Sequence, residues 1–211
     1  MSSPSHDKNN LWEFTLNFVT PTVRRLLPDV QNATAIELGG IGTGDRLVAA
    51  SSLFGRVIGF DGEAVVQKLE RAEFPDEIEL KTIDDGRIQL ESESVDFAYT
   101  WTGLAHLRDM ESVSNSIHEV GRVLRPGGVA MLWFDRVTRL PFVLNPMTWL
   151  SGYRYIEADD YPMRIQQSAM RRILRKSGLK HRALSSPLHP DTSWRLFRGG
   201  ELSYVTAVKS Q

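Results

Sequence analysis

Apolar residues follow two different periods along the chain, and the two periods alternate. Short apolar runs rich in β-branched and aromatic residues predict strands, and the segments between them carry apolar residues at helical spacing. The clearest helix is predicted from Met110 to Leu124, where apolar residues recur at steps of four, three and four. The strands predicted in this part of the chain are ATAIEL (33–38), RVIGFD (56–61), IELKTID (78–84), VDFAYTW (95–101) and VAMLWFD (129–135).

Further helices and two later strands complete the pattern. Helices are predicted from Asp45 to Phe54 and, after the second strand, to about Arg71. The sequence Arg-Pro-Gly-Gly at 125–128 cannot continue a helix and is predicted to form a turn. In the last third of the chain we expect a helix over 161–176 and the strands HRALSS (181–186) and LSYVTAVK (202–209).

This order of elements predicts the fold class. Strands that alternate with helices indicate a parallel sheet with helices on both faces. The last two predicted strands are joined without a helix, which favours an antiparallel pair at the sheet edge. We therefore expect an α/β fold with a doubly wound, Rossmann-like, mostly parallel sheet of seven strands and an antiparallel hairpin at its C-terminal edge.

The length of 211 residues suits one well-buried domain. The polar first ten residues are expected to be disordered, and residues 11–211 to form a single domain. Apolar residues at helical spacing predict one or two N-terminal helices within 11–30, kinked at Pro21. A segment of about 136–161 mixes aromatic and basic residues and is expected to form a lid insertion beside the binding site.

Charge and composition exclude several partners and chemistries. A formal net charge of -1 gives no general attraction to nucleic acid or to an anionic membrane, so we expect neither partner. The absence of cysteine excludes disulfides, thiolate zinc sites and a cysteine nucleophile, and no metal ion is expected. No apolar run approaches the roughly 20 residues of a membrane-spanning helix. The N-terminus also lacks an apolar signal segment, so the expected compartment is the cytoplasm.

The stretch AIELGGIGTGD (35–45) places four glycines between the first strand and the helix that follows. Ligands of an open parallel sheet bind beyond the carboxyl ends of the strands, which is where this loop lies. A phosphate-binding loop would continue with lysine and serine or threonine, but Gly44 is followed by Asp45 and Arg46. The dinucleotide pattern G-x-G-x-x-G would need glycine at 45 or 47, which hold Asp45 and Leu47. The loop therefore lacks both fingerprints.

Three acids near strand ends narrow the choice of ligand. Glu37 lies next to the end of the first strand, and Asp61 and Asp84 end the second and third. Asp61 is placed to accept hydrogen bonds from both hydroxyls of a ribose, and Asp84 to face an adenine amine. These acids, without a phosphate-binding fingerprint, favour a cationic nucleoside that carries no phosphate. S-Adenosylmethionine has this chemistry.

The sequence from about Ala33 to Phe134 resembles the class I S-adenosylmethionine-dependent methyltransferases, and within them the large group of small-molecule methyltransferases. The resemblance rests on ELGGIGTGD, IGFDGE, TGLAHLRD and HEVGRVLRPGGVAMLWF. The last block is the most specific, because a glutamate two turns before a leucine-basic-Pro-Gly-Gly turn into a strand is habitual in this family. In the usual loop the acid is followed by x-Gly-x-Gly-x-Gly, whereas here one residue has been added.

The resemblance implies a set of cofactor-binding residues. Glu37 would order the loop and the methionine end of the cofactor, Asp61 would hold the ribose, and Asp84 the adenine. The glycines would let the loop pass under the ligand, and the residues after the fourth strand would stand beside the methionine moiety. The expected residues are Glu37, Gly39, Gly40, Gly42, Gly44, Asp61, Asp84, Asp85, Trp101 and Thr102.

Several of these residues also have a purely structural interpretation. The glycine loop is compatible with a tight turn that binds nothing, and Asp84-Asp85-Gly86 is a common turn sequence. Trp101 is equally suited to a hydrophobic core. His106 after the fourth strand and Asp135 at the end of the fifth are candidate general bases, and each is also compatible with an ordinary surface or turn position.

The function expected from these observations is methyl transfer from S-adenosylmethionine to a small-molecule acceptor. Such a transfer is an in-line displacement, in which the protein mainly aligns the acceptor with the methyl group. A hydroxyl acceptor is favoured over carbon or nitrogen. The alternatives are a catalytically silent protein that binds S-adenosylmethionine or serves as a partner subunit, and a nicotinamide-dependent dehydrogenase, which the glycine spacing disfavours.

Overall fold

One hydrogen-bonded sheet runs through the part of the chain that the structure describes. The structure is a computed structural model that describes residues 19–83, 87–101, 103–107, 109–137, 155–158, 161–165, 167–185 and 200–210. Within these ranges the elements are α1 (Thr20–Leu26), β1 (Thr34–Leu38), α2 (Asp45–Ser51), β2 (Arg56–Asp61), α3 (Glu63–Leu69), β3 (Ile78–Thr82), β4 (Val95–Thr100), a 3-10 turn (Gly103–His106), α4 (Met110–Val123), β5 (Leu124–Val137), β6 (Tyr155–Ala158), β7 (Tyr161–Ile165), α5 (Gln167–Lys176), β8 (Leu179–Ser185) and β9 (Gly200–Lys209).

The strand pairing confirms the predicted fold class, and the described part of the sheet has nine strands where seven were predicted, because β6 and β7 are added to it. β1 is parallel to β2 and β4, β2 is parallel to β3, and β4 is parallel to β5. β9 is antiparallel to both β5 and β8 and forms the predicted C-terminal hairpin. The chain leaves β1 towards β2 and β3 and then returns to the other side of β1 with β4. The carboxyl ends of β1 and β4 therefore lie at the point where the strand order reverses, which is where sheets of this type bind ligands.

Helices cover both faces of the sheet because neighbouring residues of each strand point to opposite sides. Phe97 and Tyr99 of β4 lie in a cluster with apolar residues of α1 and α2. Ala98, between them, lies in a second cluster with apolar residues of α4 and α5. The central strands are thus buried on both faces, as expected of a doubly wound sheet.

The helix α4 illustrates how sequence determines these elements. Asp109 caps its first turn, since the carboxylate accepts a hydrogen bond from the N–H of Ser112 at 2.7 Å. Val113, Ile117 and Val120 form the predicted apolar face and are at most 1% exposed. The helix ends at Val123, one residue before the predicted end.

The Arg-Pro-Gly-Gly segment differs from its prediction. It was expected to form a turn before a strand at 129, but β5 already begins at Leu124, which pairs with Val95. The pairing then shifts, and Val129 lies opposite Phe97. The additional residues of β5 form an irregularity in which Gly127 has a φ of +82°. The turn residues therefore lie inside a strand.

The prediction of a helix over 161–176 is wrong for its first part. Residues Tyr161–Ile165 form β7, which pairs with β6 and with Asp135 and Arg136 at the end of β5. These residues of β5 extend beyond the last pairing with β4 at Thr100, so their backbone groups are available to another strand. α5 begins only at Gln167.

Parts of the predicted domain organisation fall outside the described residues. This holds for the first ten residues, for most of the N-terminal helical region and for most of the lid insertion of about 136–161. From the N-terminal region the structure describes α1, which packs on the sheet through the fully buried Val23. Among the helices in the described ranges, none is long and apolar enough to cross a membrane.

Candidate functional site

The glycine loop connects β1 to α2 at the point where the strand order reverses. Its four glycines have φ values from +60° to +81°. A Cβ atom at Gly39 would lie 3.0 Å from the Cα of Gly103, and one at Gly44 would lie 2.6 Å from the ring of Phe74. Residues with side chains rarely adopt this backbone conformation, and they would not fit these two contacts. Because these glycines have no side chains, the loop packs directly against Gly103 and Phe74.

Gly40 and Ile41 take up the residue that the loop has gained. The side chain of Ile41 is 1% exposed and packs in the core between the sheet and α2. The N–H of Ile41 donates to Oδ2 of Asp61 at 3.0 Å, and the guanidinium of Arg46 donates to the carbonyl of Gly40. The added residue thus forms a bulge that is buried and hydrogen-bonded, and the loop remains closed.

Asp61 lies at the end of β2 and faces the loop. Its Oδ2 accepts from Ile41, and its Oδ1 accepts from the N–H of Gly62 at 2.7 Å. A carboxylate can accept about four hydrogen bonds, so these two leave further acceptor positions for a ligand. Asp61 therefore fastens the loop to β2 and keeps the capacity to bind hydroxyl groups.

Glu37 is fully buried on the face of the sheet that carries α2. One carboxylate oxygen accepts from Nε of Arg46 at 2.6 Å and the other from the hydroxyl of Tyr99 at 3.0 Å. Burial raises the pKa of Glu37, and the positive charge of Arg46 opposes this change. Burial and the charge of Glu37 raise the pKa of Tyr99. In this arrangement Glu37 orders the loop through Arg46, which reaches the carbonyl of Gly40.

A cavity of about 180 Å³ opens beside the loop. Its lining includes Gly39 and Gly40 of the loop, Asp61, and Gly103 and Leu104 of the turn after β4. Ile88 and the inner face of α4 complete the wall. Among the described residues that line this cavity, Asp61 carries the only charge. Glu37 is not one of them.

Thr100 contributes a hydroxyl that the sequence did not indicate. The residue lines the same cavity at the end of β4 and is fully buried. Its Oγ1 has no hydrogen-bond partner in the described part of the structure. A buried hydroxyl without a partner is costly, so a ligand that pairs with it gains binding energy.

Trp101, the next residue along the chain, belongs to an aromatic row. Its ring centroid lies 5.4 Å from that of Trp133, which in turn lies 5.1 Å from that of Tyr204. Trp101 is partly exposed and packs against the buried cluster on the α2 face. The structure thus places Trp101 at the carboxyl end of β4, with one side in contact with the core.

The other predicted site residues are described only in part. Asp84, Asp85 and Thr102 lie outside the described residues. His106 ends the 3-10 turn that borders the cavity, and Asp135 lies in β5 between β7 and β9. The side chains of His106 and Asp135 are outside the described part, so both residues stay candidates by position.

Comparison with known proteins identifies a methyltransferase domain in the chain. A family model for a methyltransferase domain matches residues 38–132, from the end of β1 into β5, which is the part that forms the site. The chain therefore contains a methyltransferase domain over these residues, and it shares its fold with solved S-adenosylmethionine-dependent methyltransferases. S-Adenosylmethionine, which the names of these solved structures give, is therefore the cofactor to compare with the site. No curated protein matches the sequence at a significant level.

Solved structures share the fold of the methyltransferase at low sequence identity. An S-adenosylmethionine-dependent methyltransferase from Methanosarcina mazei has a TM-score of 0.67 at 19% identity, covering 90% of this chain and 97% of the other. A complex of the Trm112 methyltransferase activator with a putative methyltransferase of Haloferax volcanii gives 0.65 at 16%, covering 97% and 93%. A putative sarcosine dimethylglycine methyltransferase from Galdieria sulphuraria gives 0.65 at 17%, covering 95% and 86%.

The described residues of the methyltransferase fit this cofactor. Glycine backbone without side chains borders the cavity, and Asp61 has free acceptor positions for ribose hydroxyls. The unpaired hydroxyl of Thr100 offers a further polar contact. Since the described lining contains no lysine or arginine, it favours a cation without phosphate groups over a nucleotide.

Proposed function

We propose that this methyltransferase methylates a hydroxyl group of a small organic molecule. The supporting observation is the position of His106 in the 3-10 turn whose residues Gly103 and Leu104 line the cofactor cavity. A hydroxyl must lose its proton when it is methylated, and histidine is the side chain best suited to accept a proton near neutral pH. Asp135, in the long β5 strand, is the second candidate for this role.

The binding roles assigned to individual residues belong to the same proposal. Asp61 accepts hydrogen bonds from the ribose, and the glycine loop lies along the ligand. Asp84 and Asp85 come after Ile83, the residue that follows β3, and hold the adenine. Since β2 is separated from β4 by β1 alone, a ligand with its ribose at Asp61 extends towards Thr100 with its methionine part. Trp101 and Thr102 stand beside that part.

The protein's own contribution to the reaction is alignment and exclusion of water. S-Adenosylmethionine supplies a methyl group on a positively charged sulfur. Asp61 and the loop fix the nucleoside and therefore the direction of the bond between sulfur and the methyl group. The acceptor atom then has to be held only on the extension of that bond. The face of Trp101 stabilises a nearby positive charge by cation–π attraction. His106 or Asp135 holds the proton that the acceptor hydroxyl loses.

An acceptor search tests the proposed hydroxyl chemistry. The methyltransferase is incubated with a small-molecule extract and S-adenosylmethionine whose methyl group carries ¹³C, and the labelled product is isolated by mass spectrometry. The ¹³C chemical shift then distinguishes methyl on oxygen from methyl on nitrogen or carbon. An O-methyl product supports the proposal. An N-methyl product contradicts it.

Variants of the two candidate bases provide an independent test. For a hydroxyl acceptor we expect His106→Gln or Asp135→Asn to lower kcat by about a hundredfold or more, with unchanged affinity for S-adenosylmethionine. His118→Gln is the matched control, because His118 is exposed on α4 away from the cavity. If neither candidate variant lowers kcat, the mechanism in which His106 or Asp135 accepts the proton of the acceptor hydroxyl is wrong.

A silent protein or partner subunit is the competing function. The neighbour that forms a complex with the Trm112 activator shows that a protein of this fold can work with a partner. If our chain binds S-adenosylmethionine and methylates nothing in the extract, the same assay is repeated with a candidate activator subunit. Turnover only in the presence of the subunit would support this second function.

Removing the hydroxyl of Thr100 is expected to raise the stability of the protein and to lower its affinity for the cofactor. In Thr100→Val the buried hydroxyl is replaced by a methyl group of similar shape, so the ligand-free protein should become more stable by about 1 kcal/mol. Affinity for S-adenosylmethionine should fall about tenfold, because the ligand loses a hydrogen-bond partner. Urea unfolding and calorimetric titration measure the two effects. A loss of stability with unchanged affinity would contradict the assignment.

A further inference from the structure

The sequence block HEVGRVLRPGG contains two charged residues, Glu119 and Arg122, that the cofactor site does not include. They lie on α4, and neither is fully exposed. Nε of Arg122 donates to one carboxylate oxygen of Glu119 and the Nη2 of Arg122 to the other, each at 2.8 Å. Such a two-point ion pair has a fixed orientation. The pair therefore acts as one rigid polar unit on the helix surface.

This pair holds a segment from a different part of the chain. Glu119 accepts from the N–H of Ile88 at 3.0 Å. Arg122 donates to the carbonyl of Ile88 at 2.8 Å and to the carbonyl of Leu90 at 2.9 Å. Both backbone groups of Ile88 are thus fixed by side chains of α4. Between Ile83 and the start of β4, only Arg87 is part of a bridge in the described residues, so a strand ladder does not hold Ile88.

The segment held in this way forms part of the cofactor site. The side chain of Ile88 is 1% exposed and lines the cavity that also contains Gly39 and Asp61. Four residues separate Ile88 from Ile83, whose N–H donates to the carbonyl of Asp61 at 2.9 Å. The predicted adenine-binding residues Asp84 and Asp85 belong to this short connection. Of the residues that flank it, Ile83 is bonded to β2 and Ile88 to α4.

We propose that Glu119 and Arg122 are positioning residues for the cofactor, acting through the backbone of Ile88, whose side chain lines the cofactor cavity. Without this clamp Ile88 gains freedom, and the arrangement of the cavity wall that accepts the cofactor is populated for only part of the time. The apparent dissociation constant then rises by the inverse of that fraction. This inference rests on S-adenosylmethionine as the cofactor and not on the proposed hydroxyl acceptor.

The charge state of the pair is consistent with this role. The hydrogen bonds from Arg122 hold the pKa of Glu119 below its ordinary value, and burial opposes them. The hydrogen bond to Glu119 raises the pKa of Arg122. Both residues are therefore charged at neutral pH, where hydrogen bonds to charged groups are stronger than neutral ones.

Three variants test the proposal. Glu119→Gln removes one charge of the clamp, and Arg122→Met removes both carbonyl contacts. Arg125→Met is the matched control, because Arg125 lies two residues after the end of α4 and pairs with Asp96 at the surface without reaching Ile88. Dissociation constants for S-adenosylhomocysteine are measured by calorimetric titration, and amide hydrogen exchange of Ile88 is measured in the ligand-free protein.

We expect both clamp variants to raise the dissociation constant about tenfold, with a stoichiometry of one and faster exchange at Ile88. The control should retain wild-type affinity. A variant that merely loses stability would show a reduced stoichiometry with an unchanged dissociation constant, and this result would overturn the proposal. Faster exchange at Ile88 with wild-type affinity would overturn it as well, because the clamp would then hold the segment without affecting the cofactor.

Discussion

Replacing Asp61 by alanine is expected to weaken S-adenosylmethionine binding by about a hundredfold or more. Two hydrogen bonds from ribose hydroxyls to a carboxylate are lost, and bonds to charged groups are worth about 1.5–3 kcal/mol each. The contact between Asp61 and the N–H of Ile41 is lost too, so the bulged part of the loop loses its attachment to β2. Both losses weaken binding. Since about 1.4 kcal/mol corresponds to a factor of ten in the dissociation constant, two lost bonds of this strength account for about a hundredfold.

Calorimetric titration of the Asp61 variant measures this effect. Glu63→Ala is the control, because Glu63 is an exposed acid two residues further along and contacts Gln67 rather than the loop. The ribose contribution is separated from the loop contribution with the 2′-deoxy analogue of S-adenosylhomocysteine. Wild-type protein should discriminate against this analogue, and Asp61→Ala should not. Equal affinity of wild type and Asp61→Ala for S-adenosylmethionine would refute the position of the ribose.

The second large effect is expected on stability. Arg46→Met should lower the free energy of unfolding by about 3 kcal/mol at neutral pH, because it leaves the carboxylate of Glu37 buried without its ionic partner. Glu37 is fully buried and Arg46 is 11% exposed, so solvent cannot replace the lost charge. The hydroxyl of Tyr99 remains as a hydrogen-bond donor to Glu37 but does not neutralise it.

This loss of stability should depend on pH. Burial raises the pKa of Glu37 above its ordinary value of 4.5, and removing Arg46 raises it further. The folded variant then binds a proton at a pH where the unfolded chain has lost it, so stability falls as pH rises from the ordinary pKa through the raised one. The difference between variant and wild type should be smallest near the ordinary pKa of Glu37 and largest at neutral pH.

Urea unfolding over this pH range checks the prediction. Arg56→Met serves as the control, since Arg56 forms an ion pair with Glu79 in which the two side chains are 48% and 40% exposed. Exposed pairs contribute up to about 1 kcal/mol, so the control should change little at any pH. A pH-independent difference for Arg46→Met would mean that Glu37 is not ionised in the folded protein at neutral pH.

The sequence predicted the first half of the fold accurately, because local signals and tertiary environment agree there. RVIGFD was predicted as a strand over 56–61, and β2 has these bounds. The strand is an apolar run that follows Gly55 and ends in Asp61, and it is buried in the centre of a parallel sheet. The C-terminal hairpin was also predicted, since HRALSS and LSYVTAVK are two strand-like runs of sequence that no helical pattern separates.

The errors occur where pairing with a distant strand decides the local structure. Tyr161–Ile165 precedes a strongly helical segment, and Pro162 is compatible with the first turn of a helix. The strand β7 forms because β5 extends past the end of β4 and presents free backbone groups at Asp135 and Arg136. No local pattern in the sequence contains this information.

Some residues of the candidate site could be predicted from the sequence and others could not, for the same reason. The loop and Asp61 were found because strand ends in a doubly wound sheet converge on one edge. Arg46 and Tyr99 were missed, because their contact with Glu37 depends on the register of β1 with β4 and on the side of α2 that faces the sheet. One of these contacts could have been predicted by aligning the ends of β1 and β4 in the sequence, since Glu37 and Tyr99 are register partners.

The added loop residue shows what the structure contributes beyond the family pattern. Spacing alone indicated that the loop carries one residue more than usual. The structure places Ile41 in the core and uses its N–H to bind Asp61. Gly40 and Gly42, on either side of it, both have positive φ, a conformation that lets the backbone lie close to a ligand. The insertion is therefore accommodated on the side of the loop that faces the protein.

A crystal structure of the protein with S-adenosylhomocysteine tests the central claim most directly. Our account predicts that both ribose hydroxyls donate to Asp61, that the nucleoside lies along Gly39 and Gly40, and that the amino-acid part extends towards Thr100. The added residue Ile41 should stay buried, with its N–H still bonded to Asp61. A ligand bound elsewhere, or a ribose with no contact to Asp61, would contradict the account.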